Sequence, residues 1–102
     1  MAKRMLHLVT RSPFMRNECR TTFRLARGGD GVLFLQDGVV AAGGLPADLW
    51  AQTQKLRSQG VRFYVLKEDL DARALKLNTL GAQLVDYDEL LELFGEYDLL
   101  VP

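Results

Sequence analysis

The sequence predicts an α/β fold: one three-layer domain over residues 1–102, built on a mainly parallel sheet of four to five strands with helices on both faces. Three observations carry this. Short apolar runs at Met5–Thr10, Val32–Leu35 and Val61–Leu66 have the length and composition of strands. Between them lie longer stretches whose apolar residues recur at helical spacing. Glycines and prolines punctuate the joints, and strands alternating with helices indicate a sheet covered on both sides.

The elements follow in order. Met5–Thr10 reads as a strand closed by Arg11-Ser12-Pro13, where Pro13 forces Ser12 extended and marks a helix entry. Met15–Arg27 reads as a helix with Met15, Cys19, Thr22, Phe23 and Ala26 on one face. Gly28-Gly29-Asp30-Gly31 stops it, because glycine takes the left-handed conformation of a C-cap. Val32–Leu35 is apolar without alternation, as in a strand buried on both faces, and Gln36-Asp37-Gly38 ends it. Val39–Gly44 is rich in small residues and predicts no definite form.

Pro46-Ala47-Asp48 opens a second helix running to about Ser58, with Leu49, Trp50, Thr53 and Leu56 facing inward. After Gln59-Gly60, Val61–Leu66 is the third strand and Glu68–Leu77 a shorter helix. Asn78–Gly81 turns the chain into a short strand at Gln83–Val85. Asp86–Tyr97 is a last helix, capped by Asp86 or Asp88, and Leu99–Val101 is a candidate edge strand.

Composition narrows the functional classes. The chain has 102 residues, 13 Lys+Arg against 13 Asp+Glu, 48% apolar residues, one His and one Cys. Zero net charge removes the long-range attraction of a general nucleic-acid or anionic-membrane binder, so no direct nucleic-acid binding is expected. One cysteine forms no internal disulfide, and one His with one Cys makes no ordinary zinc site. No secretory leader or span of about 20 apolar residues is visible, so a cytoplasmic protein without membrane contact is expected. The neutrality is uneven: residues 1–27 hold seven basic side chains and one acidic, whereas 86–98 hold six acidic and no basic. These are either solvated surfaces or faces for neighbours of opposite sign.

No conventional catalytic set emerges, and neither a cofactor nor a metal is expected. Gly28–Gly31 lacks the spacing of a phosphate loop and precedes a strand, so it reads as a turn. His7, inside the first strand, reads as a core or interface histidine. Glu68, Asp69 and Asp71 show no spacing that singles out an acid–base pair. The polar ends of the strands, at Thr10-Arg11-Ser12, Gln36-Asp37-Gly38, Lys67-Glu68-Asp69 and Asp86-Tyr87-Asp88, are where open α/β sheets place ligands. Cys19 is the residue with distinctive chemistry. It is either a small buried hydrophobe or a reactive thiol able to carry sulfur as a persulfide. Arg16, Arg20 and Arg24 recur beside it at i, i+4, i+8, forming either a solvated stripe or a field favouring the thiolate.

Four segments in order carry a resemblance. Leu6-His7-Leu8-Val9-Thr10-Arg11-Ser12-Pro13-Phe14, Leu33-Phe34-Leu35-Gln36-Asp37-Gly38-Val39-Val40-Ala41-Ala42, Tyr64-Val65-Leu66-Lys67-Glu68-Asp69-Leu70-Asp71-Ala72-Arg73-Ala74-Leu75 and Val85-Asp86-Tyr87 together resemble the TusB/DsrH family of sulfur-relay subunits. The resemblance implies a small α/β subunit in a heterohexamer with TusC/DsrF-like and TusD/DsrE-like partners, supplied by sulfur-carrier proteins. In the Tus branch such a complex passes persulfide sulfur toward 2-thiouridine at the tRNA wobble position. In the Dsr branch it serves sulfur oxidation. In both, the main sulfur-accepting cysteine belongs to the TusD/DsrE-type subunit, although DsrH-type chains commonly carry a cysteine in the first helix. That position holds Thr22 here, with Cys19 three residues earlier, and Ala74 stands where many relatives have glycine. The resemblance therefore implies an accessory, non-catalytic subunit, with direct persulfide carriage through Cys19 as the alternative. A third class, a nucleotide- or small-molecule-binding α/β domain, stays open because fold does not fix function.

Overall fold

Five short strands, Met5–Val9 (β1), Gly31–Phe34 (β2), Arg62–Leu66 (β3), Gln83–Val85 (β4) and Leu99–Val101 (β5), pair in parallel in the order β4-β3-β2-β1-β5. The computed structural model describes residues 3–15, 17–76 and 81–102. Arg16, the predicted helix end at Leu77 and most of the Asn78–Gly81 turn lie outside the described residues. Helices Glu18–Leu25 (α1), Ala47–Ser58 (α2), Lys67–Ala72 (α3) and Tyr87–Gly95 (α4) connect the strands.

The connectivity decides which face each helix covers. Steps β1 to β2, β2 to β3 and β3 to β4 all move one way across the sheet, and right-handed crossovers then put their helices on one side. The return from β4 to β5 crosses back beyond β1 and puts α4 on the other. Two apolar clusters reflect this. Val9, Val32, Phe34, Phe63 and Val65 meet Cys19 and Phe23 of α1, Leu49 and Leu56 of α2 and Leu70 of α3. Leu6, Leu33, Tyr64, Leu66 and Val85 meet Leu93 of α4 and Tyr97 beyond it. Phe63 is the hinge of the first cluster, edge-on to Phe23 (5.7 Å between centroids) and stacked on Phe34 (6.3 Å).

The elements differ from expectation chiefly at their ends. α1 starts at Glu18 and not at Met15, whose side chain is 79% exposed, because Ser12–Met15 folds into its own turn, with the Met15 N–H donating to the Ser12 carbonyl (3.1 Å). The Val39–Gly44 segment belongs to a 3-10 helix, Gln36–Gly43, that buries Val39, Ala41 and Ala42. Trp50 is only partly buried, while Leu49, Thr53 and Leu56 face the core as their spacing predicts. α3 stops at Ala72, five residues before Leu77. Its end is a Schellman motif: Leu75 N–H donates to the Leu70 carbonyl, Ala74 N–H to that of Asp71, and Ala74 sits at φ +53. An alanine there costs about 1 kcal/mol against glycine. For α4 the structure selects Asp86 as cap. Its Oδ1 accepts from Glu89 N–H (2.8 Å) while Glu89 Oε1 accepts from Asp86 N–H (3.1 Å), a reciprocal capping box.

Candidate functional site

The candidate persulfide carrier lies in the core. Cys19, in the first turn of α1, is 1% exposed and packs in the cluster of Phe23, Phe63 and Val9. Desolvation pushes its thiol up from 9.0 to about 12, against the smaller pull of the Arg20 guanidinium and with the neighbouring Glu18 carboxylate adding to the rise. The side chain is therefore a thiol at neutral pH and not a thiolate.

The arginines lie apart from it. Arg20 turns to the first turn of α2, where its Nε and Nη2 donate to the two Asp48 carboxylate oxygens (3.1 and 3.2 Å). That bidentate pair holds the Asp48 carboxyl below its ordinary range. Arg24 lines the open groove between α1 and α2 with Asp48 and Lys55. The structure thus brings Arg20 and Arg24 to the outer side of α1 and Cys19 to the sheet side.

The thiol has a pH signature. A raised folded pKa means that the folded chain keeps a proton the unfolded chain loses, so this contribution is complete below about pH 9 and is lost as pH rises toward 12. Its share of the stability is expected to fall by about 1.4 kcal/mol per pH unit inside that window. Urea titrations at stepped pH check it: Cys19→Ala is expected to remove the slope just above pH 9 and to leave, from about pH 10 upward, the same-sign slope of Tyr97, whose phenol is pushed up by burial and by its bond to Tyr64.

At the carboxyl ends of the strands the polar residues tie loops together. Asp69 Oδ2 accepts from Gln36 N–H (2.6 Å), at a residue with φ +52, and Asp37 Oδ1 accepts from Arg73 Nη2 (2.9 Å). Glu18 Oε1 accepts from Thr10 N–H (3.2 Å), and Glu68 Oε2 from Tyr87 N–H (3.2 Å). Glu68 Oε1 is buried without a partner. These carboxylates serve the architecture of the edge, joining the end of β1 to α1, the start of the 3-10 segment to α3, and α3 to α4.

His7 is buried, as its strand position predicts, and its partner is a residue that sequence reasoning passed over. Asp30, inside the Gly28–Gly31 turn, is 3% exposed. Its Oδ1 accepts from Met5 N–H (3.0 Å), and its Oδ2 from Arg27 N–H (3.0 Å) and His7 Nε2 (3.1 Å). One carboxylate thus joins the start of β1, the turn after α1 and the centre of β1. The available signal was an acid with glycines on both sides directly before a fully apolar strand, a place where a solvated charge is out of keeping.

Comparison with known proteins agrees with this architecture. In solved structures, the crystal structure of the ychN protein from E. coli superposes with a TM-score of 0.79 over 98% of both chains at 16% identity. An NMR structure from Thermotoga maritima gives 0.62 over 89% of this chain and 91% of that one at 23% identity. At those identities the likeness shows the fold. Among known sequences, Protein TusB of Erwinia tasmaniensis is 41% identical over 90 residues, covering 87% of this chain and 90% of that protein. The TusB proteins of Photorhabdus laumondii and Escherichia coli K12 are 38% and 37% identical over the same length. The model of the family described as DsrH like protein matches residues 11–99. The match takes in three of the four motif segments whole and the end of the first, together with the turn that carries Asp30, and so the chain belongs to the DsrH family.

Proposed function

We propose that this chain is an accessory, non-catalytic subunit of a sulfur-relay complex that passes persulfide sulfur toward 2-thiouridine at the tRNA wobble position. TusC/DsrF-like and TusD/DsrE-like subunits are its partners, and the cytoplasm is its compartment. The relatives named TusB support the branch. No helix among the described residues is long and apolar enough to cross a membrane.

The observation that carries the accessory role is the state of Cys19. Persulfide transfer needs an acceptor thiolate to attack the outer sulfur of the donor persulfide and release the donor's thiolate. A thiol at 1% exposure with its pKa pushed up to about 12 supplies neither the anion nor the approach. The chain then contributes shape and charge, and a partner contributes the reacting cysteine.

Co-expression with TusC- and TusD-like subunits tests the reading. A stoichiometric complex is expected, and Cys19→Ala is expected to restore wobble 2-thiouridine, read by mass spectrometry of digested tRNA, as well as the unsubstituted chain does in cells lacking their own copy. A chain that stays alone beside those subunits overturns the proposal. A thiouridine level that collapses in Cys19→Ala while the complex still assembles overturns the accessory role in favour of Cys19 as a carrier.

A further inference from the structure

α1 ends at Leu25, and the chain leaves it in extended geometry at Ala26 before turning through Arg27–Asp30. Beside that departure, on the α1 face, a cavity of about 370 Å³ opens over β1 and the edge strand β5. Its volume falls within the range of small-molecule sites. Met5, Leu25 and Val101 form apolar walls, Lys3 and Arg27 stand at the rim, and His7 is at the floor.

The floor is chemically organised. Asp30 Oδ2 takes a backbone N–H as well as the His7 contact, so it acts as an acceptor and His7 Nε2 donates to it. Of the two uncharged tautomers, this is the one that leaves the lone pair on Nδ1. Nδ1 has no hydrogen-bond partner among the described residues, and the His7 side chain lines the cavity. A carboxylate thus orients the ring of a histidine that borders a pocket. That is the arrangement of a hydrogen-bond acceptor held ready for a ligand.

The charge around it selects the ligand. Lys3, Arg4 and Arg27 all line the cavity, and none enters an ion pair among the described residues. Arg4 is partly committed, with Nε donating to the Gly29 carbonyl (3.1 Å) and its guanidinium over the Tyr97 ring (5.0 Å). Asp30, the acid present, is met by three donors. The rim is therefore positive above apolar walls.

We propose that this cavity binds a small organic anion with an apolar body and a hydroxyl beside its carboxylate. The carboxylate sits between Lys3 and Arg27, the apolar body lies against Met5, Leu25 and Val101, and the hydroxyl donates to His7 Nδ1. Asp30 is a positioning residue, fixing the tautomer that leaves Nδ1 free.

The test uses mandelate as probe, followed by NMR on the full chain with ¹⁵N detection of the imidazole. In the free protein, Nδ1 is expected to give the resonance of an unprotonated nitrogen and Nε2 that of a protonated one. Mandelate at millimolar concentration is expected to shift the Nδ1 resonance saturably. Phenylacetate, which lacks the hydroxyl, is expected to bind a few-fold more weakly and to leave Nδ1 unmoved. In Lys3→Ala/Arg27→Ala, which keeps the Arg27 backbone N–H to Asp30, mandelate is expected to bind about ten-fold more weakly. A proton on Nδ1 in the free protein, no saturable shift with mandelate, or equal binding by the double variant overturns the proposal.

Discussion

Replacing Asp30 with alanine is expected to lower the unfolding free energy by about 3–5 kcal/mol, the range for removing one member of a buried charged, hydrogen-bonded set. Three donors lose their acceptor at once, the N–H groups of Met5 and Arg27 and the Nε2 of His7. The site is 3% exposed, so water does not replace what is lost without opening the start of β1. The damage also spreads along the sheet, because β5 pairs only with β1. The backbone of Asp30 adds to the role: its carbonyl accepts from Arg62 N–H (3.1 Å) at the start of β3. Urea denaturation reads the change as a lower midpoint at unchanged slope. Asp30→Asn, which keeps one acceptor oxygen, is expected to cost clearly less. A loss under 1 kcal/mol in the alanine variant would remove Asp30 from its place as the joint of β1, the α1 turn and His7.

Gly38→Ala is expected to cost about 3 kcal/mol or more, at the upper end for overpacking, because the obstacle is backbone. A Cβ at Gly38 would be driven into the carbonyl group of Val9, at the end of β1. That carbonyl is already occupied, accepting from Leu35 N–H (3.0 Å), while Gly38 N–H donates to the Leu35 carbonyl (3.0 Å). The 3-10 segment crosses the end of β1 at the closest approach its backbone allows. At roughly 4–8 °C per kcal/mol for a chain of this size, the melting temperature is expected to drop by more than about 12 °C. Gly43→Ala is the control: a Cβ there meets nothing within 4 Å, so its melting temperature is expected to move little. Equal melting temperatures for the two variants would contradict the close-approach reading of the Asp37-Gly38-Val39 segment.

Gly38 also shows how much of the site was legible beforehand. The Asp37-Gly38-Val39 motif and its place after a strand were visible, whereas the carbonyl that forbids a side chain lies 29 residues earlier in the chain. Met15 teaches the converse. Its four-residue spacing from Cys19 suits one helical face, but spacing does not show where a helix begins, and the turn at Ser12–Met15 leaves it in solvent. The capping acid of α4 was narrowed to Asp86 or Asp88 by residue type alone, and the reciprocal bonds with Glu89 chose the first.

Cys19 divides the two kinds of information most sharply. Its helix, its face and its arginine neighbours could be read from spacing, and that spacing favoured a buried hydrophobe while leaving a reactive thiol open. Only the packing of Phe23 and Phe63 around it, brought together by a parallel sheet, seals the sulfur and keeps its proton. By itself the sequence determined the alternation of strands and helices, the turn at Gly28–Gly31, the cap of α4 to within two residues and the family motifs. These are local properties, set by side-chain periodicity and by residues that favour or forbid particular backbone angles. The tertiary structure alone decided the strand order, the placement of α4 opposite the other helices, the burial of the thiol and the meeting of Asp30 with His7. Each depends on register and crossover between segments distant in the chain, and a periodic pattern carries no record of which distant partner completes it.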